Sequence, residues 1–204
     1  MCEELMIVGI DLAGVESRPT GFCVMDQNMN VKTSLLYTDD EIIKETLKTR
    51  PKVVAIDAPL ALPKGRRSLK VKSNVHLREC DRELLRMKIK FFPITLGPMR
   101  KLTERGIRLK KILEKKGLEV VETYPGAAQD ILKIPRKQHG LSKLKAGLEK
   151  FGVGKLNDLM NGDELDAVTC ALVGKFYLEK KHIAIGDQEE ILMILPKMNH
   201  SNSN

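Results

Sequence analysis

Two short apolar runs, Leu5–Leu12 (LMIVGIDL) and Val53–Ile56 (VVAI, followed by Asp57), restrict the fold more than any other feature of the chain. A strand with one wet face alternates between apolar and polar residues. A run that stays apolar at successive positions needs cover on both faces, the situation of a strand inside a sheet layered by helices. Two further runs, Gly21–Met25 and Val31–Tyr37, flank the polar turn DQNMN and predict an antiparallel meander. Asp39 is expected to cap a helix reaching about Arg50, with Ile42, Ile43 and Leu47 on one face. Strand–strand–strand–helix–strand opens an α/β chain with a mixed sheet.

Residues 59–98 break this rhythm. The stretch PLALPKGRRSLKVKSN, with its prolines and glycine, predicts a loop, expected to be mobile in the free protein, and His76–Lys88 a helix. Pro98 and Gly117 bracket a further helix, and Leu118–Val121 forms a fifth strand. Leu141, Leu144, Leu148 and Phe151 recur at helical spacing before Gly152, and a last long helix is expected over Asp163–Lys180. His182–Ile185 and Glu190–Leu195, separated by GDQE, predict a terminal hairpin, too apolar for a sheet edge unless something covers it. For 204 residues these elements suggest one domain over 1–198, with an insertion at about 59–117 and a disordered tail at 199–204.

No apolar run approaches the roughly 20 residues of a membrane helix, and the MCEELM start is acidic rather than basic, so neither a span nor a secretory signal is expected. The cysteines Cys2, Cys23, Cys80 and Cys170 form no CxxC pair and have no neighbouring His. That excludes a zinc site of local spacing and fits reduced thiols in a cytoplasmic protein.

The first and fourth strands both end in a carboxylate, Asp11 and Asp57. In open α/β sheets the ligand crevice lies beyond the carboxyl ends of strands, where the strand order reverses. Parallel neighbours would bring the two acids together there, each raising the other's pKa, and a divalent cation removes that repulsion. The alternative is that each Asp only starts a turn. Asp163 and Asp166, at i and i+3 of the last helix, share one face, and Ala167 and Ala171 are small enough for that helix to approach the sheet closely. Both acids also suit a helix N-terminus, with Asp163 as its cap. Glu122, in VVETYPG, is a fourth metal-ligand candidate, or a helix-entry residue. Carboxylates without a His/Cys cluster select Mg²⁺ or Mn²⁺. Two such ions about 3.5–4 Å apart can activate a water and stabilise the leaving oxygen of a phosphodiester.

The net charge of +8 averages two opposites. Residues 64–145 carry 23 Lys+Arg against 8 Asp+Glu, a local +15, and the remainder carries −7. A polyanionic partner would suit such asymmetry, although a solvated lysine-rich surface accounts for it as well. The candidates for backbone contact are Lys64, Arg66 and Arg67 in the loop, with Arg78 and Arg82 in a stripe continued by Arg86 and Lys90. Glu79–Arg82 and Glu83–Arg86 spacings equally suit surface ion pairs. Aromatic residues make up 4% of the chain and Trp is absent, which argues against sequence-specific reading of single strands. A nucleic acid partner would then be read by its structure.

The motifs GIDLAG, AIDAPL, ETYPGAA and GDELDAVTCAL, in that order, resemble the family of predicted nucleases known as domain of unknown function 429. The likeness runs from about Met6 to Pro196 and includes RECDRELL and IGDQEEILMILP; the final helix is also similar to that of Holliday-junction resolvases. The resemblance implies an RNase H-like mixed five-stranded sheet of order 3-2-1-4-5 flanked by helices, its first strand antiparallel to the second. The basic helical insertion after the fourth strand and the C-terminal hairpin, read above from the residues, would be added to it. Asp11 and Asp57 would be the first two metal ligands and catalytic acids, and Asp163 or Asp166 the last. The implied activity is metal-dependent phosphodiester hydrolysis, with resolvase-like enzymes suggesting a homodimer. A non-catalytic nucleic-acid-binding module and a phosphohydrolase acting on a small nucleotide-like substrate are the alternatives, since fold alone does not fix function. Sugar kinases and actin-like ATPases share the core but need a second related domain and glycine-rich phosphate loops, for which this chain is too short.

Overall fold

Both faces of the first strand are covered, as its unbroken apolarity requires. The computed structural model describes residues 5–197, so the expected tail at 199–204 and Cys2 lie outside the described residues. In chain order the elements are β1 (Ile7–Asp11), β2 (Thr20–Met25), β3 (Val31–Leu36), α1 (Asp39–Thr49), β4 (Val53–Asp57), α2 (Glu79–Arg86) and α3 (Gly97–Lys115). There follow β5 (Val120–Thr123), α4 (Pro125–Ile131), α5 (Leu141–Lys150), α6 (Gly162–Leu178), β6 (His182–Asp187) and β7 (Ile191–Pro196). Ile7, Val53, Ala55 and Val121 face a core shared with α5 and α6. Val8, Ile10, Val54, Ile56 and Val120 face the opposite core, with α1 and α3. Side chains alternate across a strand, so Asp11 and Asp57 continue the α6 side of β1 and β4.

The sheet order is β3-β2-β1-β4-β5-β7-β6. The expected 3-2-1-4-5 arrangement is present, with β1 antiparallel to β2 and parallel to β4. The strand count is seven rather than five because the terminal hairpin does not stand apart: β7 joins β5 in parallel, and Thr123 Oγ1 donates to the Ile194 carbonyl at 2.9 Å. The cover that the hairpin's apolarity demands is α2. Cys80 and Leu84 pack there with Ile185, Met193 and Leu195, and the Gly186 N–H donates to Glu83 Oε1.

Local signals deviate in three places. Thr38, not Asp39, caps α1, through a capping box with Glu41. Asp39 instead pairs with Arg105 and Arg108 of α3, and Arg105 also donates to the Ala13 carbonyl, fixing the chain just beyond Asp11. Asn161 rather than Asp163 caps α6, accepting from the N–H groups of Asp163 and Glu164. The YPG sequence, made of residues that favour turns, opens the short helix α4, with Pro125 in its first turn, where the missing N–H costs nothing.

Helix α6 lies unusually close to the sheet. A Cβ on Gly9 would stand 2.1 Å from the Ala167 carbonyl oxygen, and one on Gly21 would stand 2.0 Å from that of Asp163. Glycine on the strands and alanine on the helix together bring the acids of α6 down to the ends of β1 and β4. Among the described residues no helix is long and apolar enough to cross a membrane.

Candidate active site

Asp11 and Asp57 are direct partners in the parallel β1–β4 register, side by side at the carboxyl ends of the two strands. Asp166, one turn into α6 and buried, completes the group from the helix side. Gln129 of α4 donates from its amide to Asp166 Oδ1 at 2.8 Å and to Thr169 Oγ1 at 3.0 Å. The Lys137 ammonium sits 2.9 Å from Asp166 Oδ2, 3.1 Å from Asp163 Oδ1 and 3.8 Å from Asp11 Oδ2. One cation thus faces three carboxylates. Among the described residues no three His, Cys, Asp or Glu side chains by themselves form a metal-holding group.

The electrostatics follow from this crowding. Burial, and then the Asp166 charge, push Asp11 up to about 7, against the opposing pull of Lys137. Burial and the neighbouring Asp11 and Asp166 hold Asp57 well above the usual carboxylate range. Burial works against the charge of Lys137, but Asp166 and Asp11 outweigh it and the net shift is upward.

Of the acids read from the sequence, Asp11, Asp57, Asp163 and Asp166 converge, with Asp163 the more exposed of the α6 pair. Glu122 lines the same cavity but turns to other partners. It pairs in register with Ile56, whereas Thr123 is the partner of Asp57, so the Glu122 side chain leaves the opposite face of the sheet. There its Oε2 accepts from the Leu60 N–H and from Arg78, both at 2.7 Å.

The basic candidates also divide. Arg78 is 2% exposed and is held by Asp81 and Glu122, and therefore leaves the set of phosphate contacts. Arg66 leaves it too: its buried guanidinium ties the Ser68, Val71 and Val75 carbonyls of the loop together. Lys64 pairs with Glu189 and Arg82 with Glu79, both at the surface, and Arg67 is exposed with no ion pair among the described residues. Sequence reasoning missed Lys137 and Gln129. Gln129 directly follows the ETYPGAA motif, a usable signal; Lys137 is one lysine among many in the basic stretch and carries none.

A mixed sheet with β1 antiparallel to β2 and parallel to β4, crossed by a helix whose acids reach the strand ends, defines an RNase H-like fold. RuvC of T. thermophilus, in complex with a Holliday junction substrate, superposes with a TM-score of 0.54 at 12% identity, over 86% of this chain and 96% of that one. Another Thermus thermophilus RuvC structure gives 0.47 at 13% identity over the same shares. Comparison with curated proteins finds no match. The family described as a protein of unknown function, DUF429, matches residues 9–190, and the chain belongs to it.

Proposed function

We propose that this protein is a divalent-metal-dependent nuclease that hydrolyses phosphodiester bonds in a nucleic acid. The observation that carries the reading is the in-register pair Asp11 and Asp57, sharing the α6 face with Asp166 and met there by a cation. The ammonium of Lys137 acts as a stand-in ion, and its position marks the crevice as one that gathers positive charge. The donors are all carboxylate oxygens and fit a hard cation. Since no three of the described acids close into a cage by themselves, Mg²⁺ or Mn²⁺ would be held by one or two of Asp11, Asp57 and Asp166 and keep several waters, and when bound would supply the charge that activates a water and stabilises a leaving oxygen.

The chain's own groups supply orientation. Gln129 turns Asp166 so that Oδ1 accepts its amide and Oδ2 faces the crevice. Asp163 draws Lys137 to the rim, where its ammonium would meet an arriving phosphate. Lys64, Arg67 and Arg82 would extend contact along the backbone, since surface ion pairs exchange for phosphate at little cost. The fold shared with RuvC, which is known bound to a Holliday junction substrate, supports nucleic acid as the partner.

The test is cleavage of labelled branched, hybrid and single-stranded substrates with Mn²⁺ or Mg²⁺, together with calorimetry of metal binding. Cleavage is expected to disappear in Asp11→Asn and Asp57→Asn. If no substrate is cut and no metal binds, the reading is wrong.

A further inference from the structure

The chain has only five Phe and three Tyr, yet Phe91, Phe92 and Tyr124 all line one cavity of about 270 Å³ whose lining also includes Asp11, Asp57 and Asp166. Phe92 is 71% exposed, and Leu85 and Met87 of the same stretch are exposed as well. Leu85, Phe91, Phe92 and Tyr124 also share an adjoining cavity, so the apolar surface is continuous at the mouth. Such a patch beside polar groups is a feature of binding sites.

Its back wall is built rather than incidental. The Tyr124 hydroxyl donates to the Lys90 carbonyl at 2.7 Å, and the Arg136 guanidinium lies 5.7 Å over the Tyr124 ring. Asp130 holds Arg136 through two hydrogen bonds. Gly126 makes room for it, because a Cβ there would stand 2.8 Å from Arg136 Nη1. The result is a braced wall, in which Arg136 also reaches the Tyr124 hydroxyl at 3.4 Å. Lys88 and Lys90, exposed beside it, form no ion pair among the described residues. Flat π surfaces with free cations around them match an aromatic heterocycle carrying phosphate. An apolar peptide or acyl chain would leave those cations unused.

We propose that this cavity takes an unstacked nucleobase, its ring against Phe92 and the Tyr124–Arg136 wall, with its phosphate directed to the basic rim. In placing that phosphate at the carboxylates the proposal rests on the nuclease reading; the base subsite itself does not. A base can enter only if it is unpaired or flipped, so the favoured substrate carries an unpaired nucleotide at the cut rather than a closed duplex. Stacking is tolerant of base identity, which agrees with a site read by structure and not by sequence. The base could come from a polymer or from a free nucleotide.

Because the chain has no Trp, Phe92→Trp places a single indole at the mouth of the cavity. Its fluorescence is titrated in EDTA with a short single-stranded oligonucleotide, with the same strand made abasic, and with a mononucleotide. Quenching by the normal strand and not by the abasic one is expected, and Phe92→Ala should weaken binding of the normal strand about tenfold without altering thermal melting. Leu159→Ala, 93% exposed elsewhere, should change neither. Quenching by the mononucleotide as tight as by the strand also supports the subsite and assigns it to a free nucleotide. Equal quenching by the abasic strand, no quenching by any nucleotide, or unchanged affinity in Phe92→Ala overturns it. Cleavage without base-dependent quenching would leave the nuclease reading intact, while quenching in a protein that binds no metal and cuts nothing would leave only the subsite.

Discussion

Lys137 Nζ lies 2.9 Å from Asp166 Oδ2, and the same ammonium also reaches Asp163 and Asp11. A divalent cation bound as proposed would compete with this lysine for the same carboxylates. Lys137→Met is therefore expected to destabilise the metal-free protein by about 1–2 kcal/mol, less than the loss of a fully buried pair because the Lys137 side chain is 41% exposed. Mn²⁺ should then raise the melting temperature of the variant more than that of the parent. Thermal melts with and without Mn²⁺ read both effects, and identical metal-induced shifts would count against the competition.

The acids at the strand ends make stability depend on pH in a defined sense. Asp11 is raised from 3.8 to about 7, so the folded state holds a proton that the unfolded chain has released across that interval. Stability of the metal-free protein should fall as pH rises from about 4 to about 7, with Asp57 acting in the same direction. Asp11→Asn should flatten the slope and, without metal, be the more stable protein at pH 8. Urea unfolding across pH 5–8 tests this; a parent whose stability climbs through the interval, with no difference in Asp11→Asn, would contradict it.

These relationships were unequally legible in the sequence. Asp11 and Asp57 could be read because the apolar runs before them fix both the strands and their burial, and a carboxylate closing such a run needs a reason. The Asp163–Asp166 pair followed from helical spacing, and its approach to the sheet from Ala167 and Ala171. Glu122 was misplaced by one residue of register, which in a strand is a change of face. Arg78 is the extended residue just before α2, a helix whose inward side depends on where the distant hairpin packs, so its four-residue spacing with Arg82 could not distinguish core from surface. Lys137 acquires its role only through contacts with Asp11, Asp163 and Asp166, all far away in the chain, and nothing in its own neighbourhood reports them.

The close seating of α6 makes Gly9 a position where any side chain is costly. A Cβ there would stand 2.1 Å from the Ala167 carbonyl oxygen and 2.4 Å from the Ala171 nitrogen, both backbone atoms that cannot swing aside. Gly9→Ala should cost roughly 1–3 kcal/mol or more and lower the melting temperature by several degrees. Since α6 carries Asp166, metal-induced stabilisation should shrink with it. Gly14→Ala, whose nearest neighbours are 3.4 Å away, serves as the control and should cost little.

Arg78 and Arg67 separate the two uses of arginine in the basic stretch. Arg78 faces Asp81 and Glu122 in the interior, where Glu122 also holds the Leu60 N–H. Arg78→Ala would leave two buried carboxylates without their cation, at a cost of roughly 3–5 kcal/mol, and any loss of nucleic acid binding should follow the loss of folded protein. Arg67, exposed and unpaired among the described residues, should behave in the opposite way. Arg67→Ala should leave urea unfolding unchanged and lower by about 1 the slope of log affinity against log salt, the signature of one lost phosphate contact. Measuring both variants in both assays distinguishes the roles: a stable Arg78→Ala protein with a reduced salt slope would move Arg78 from the interior brace to the binding surface.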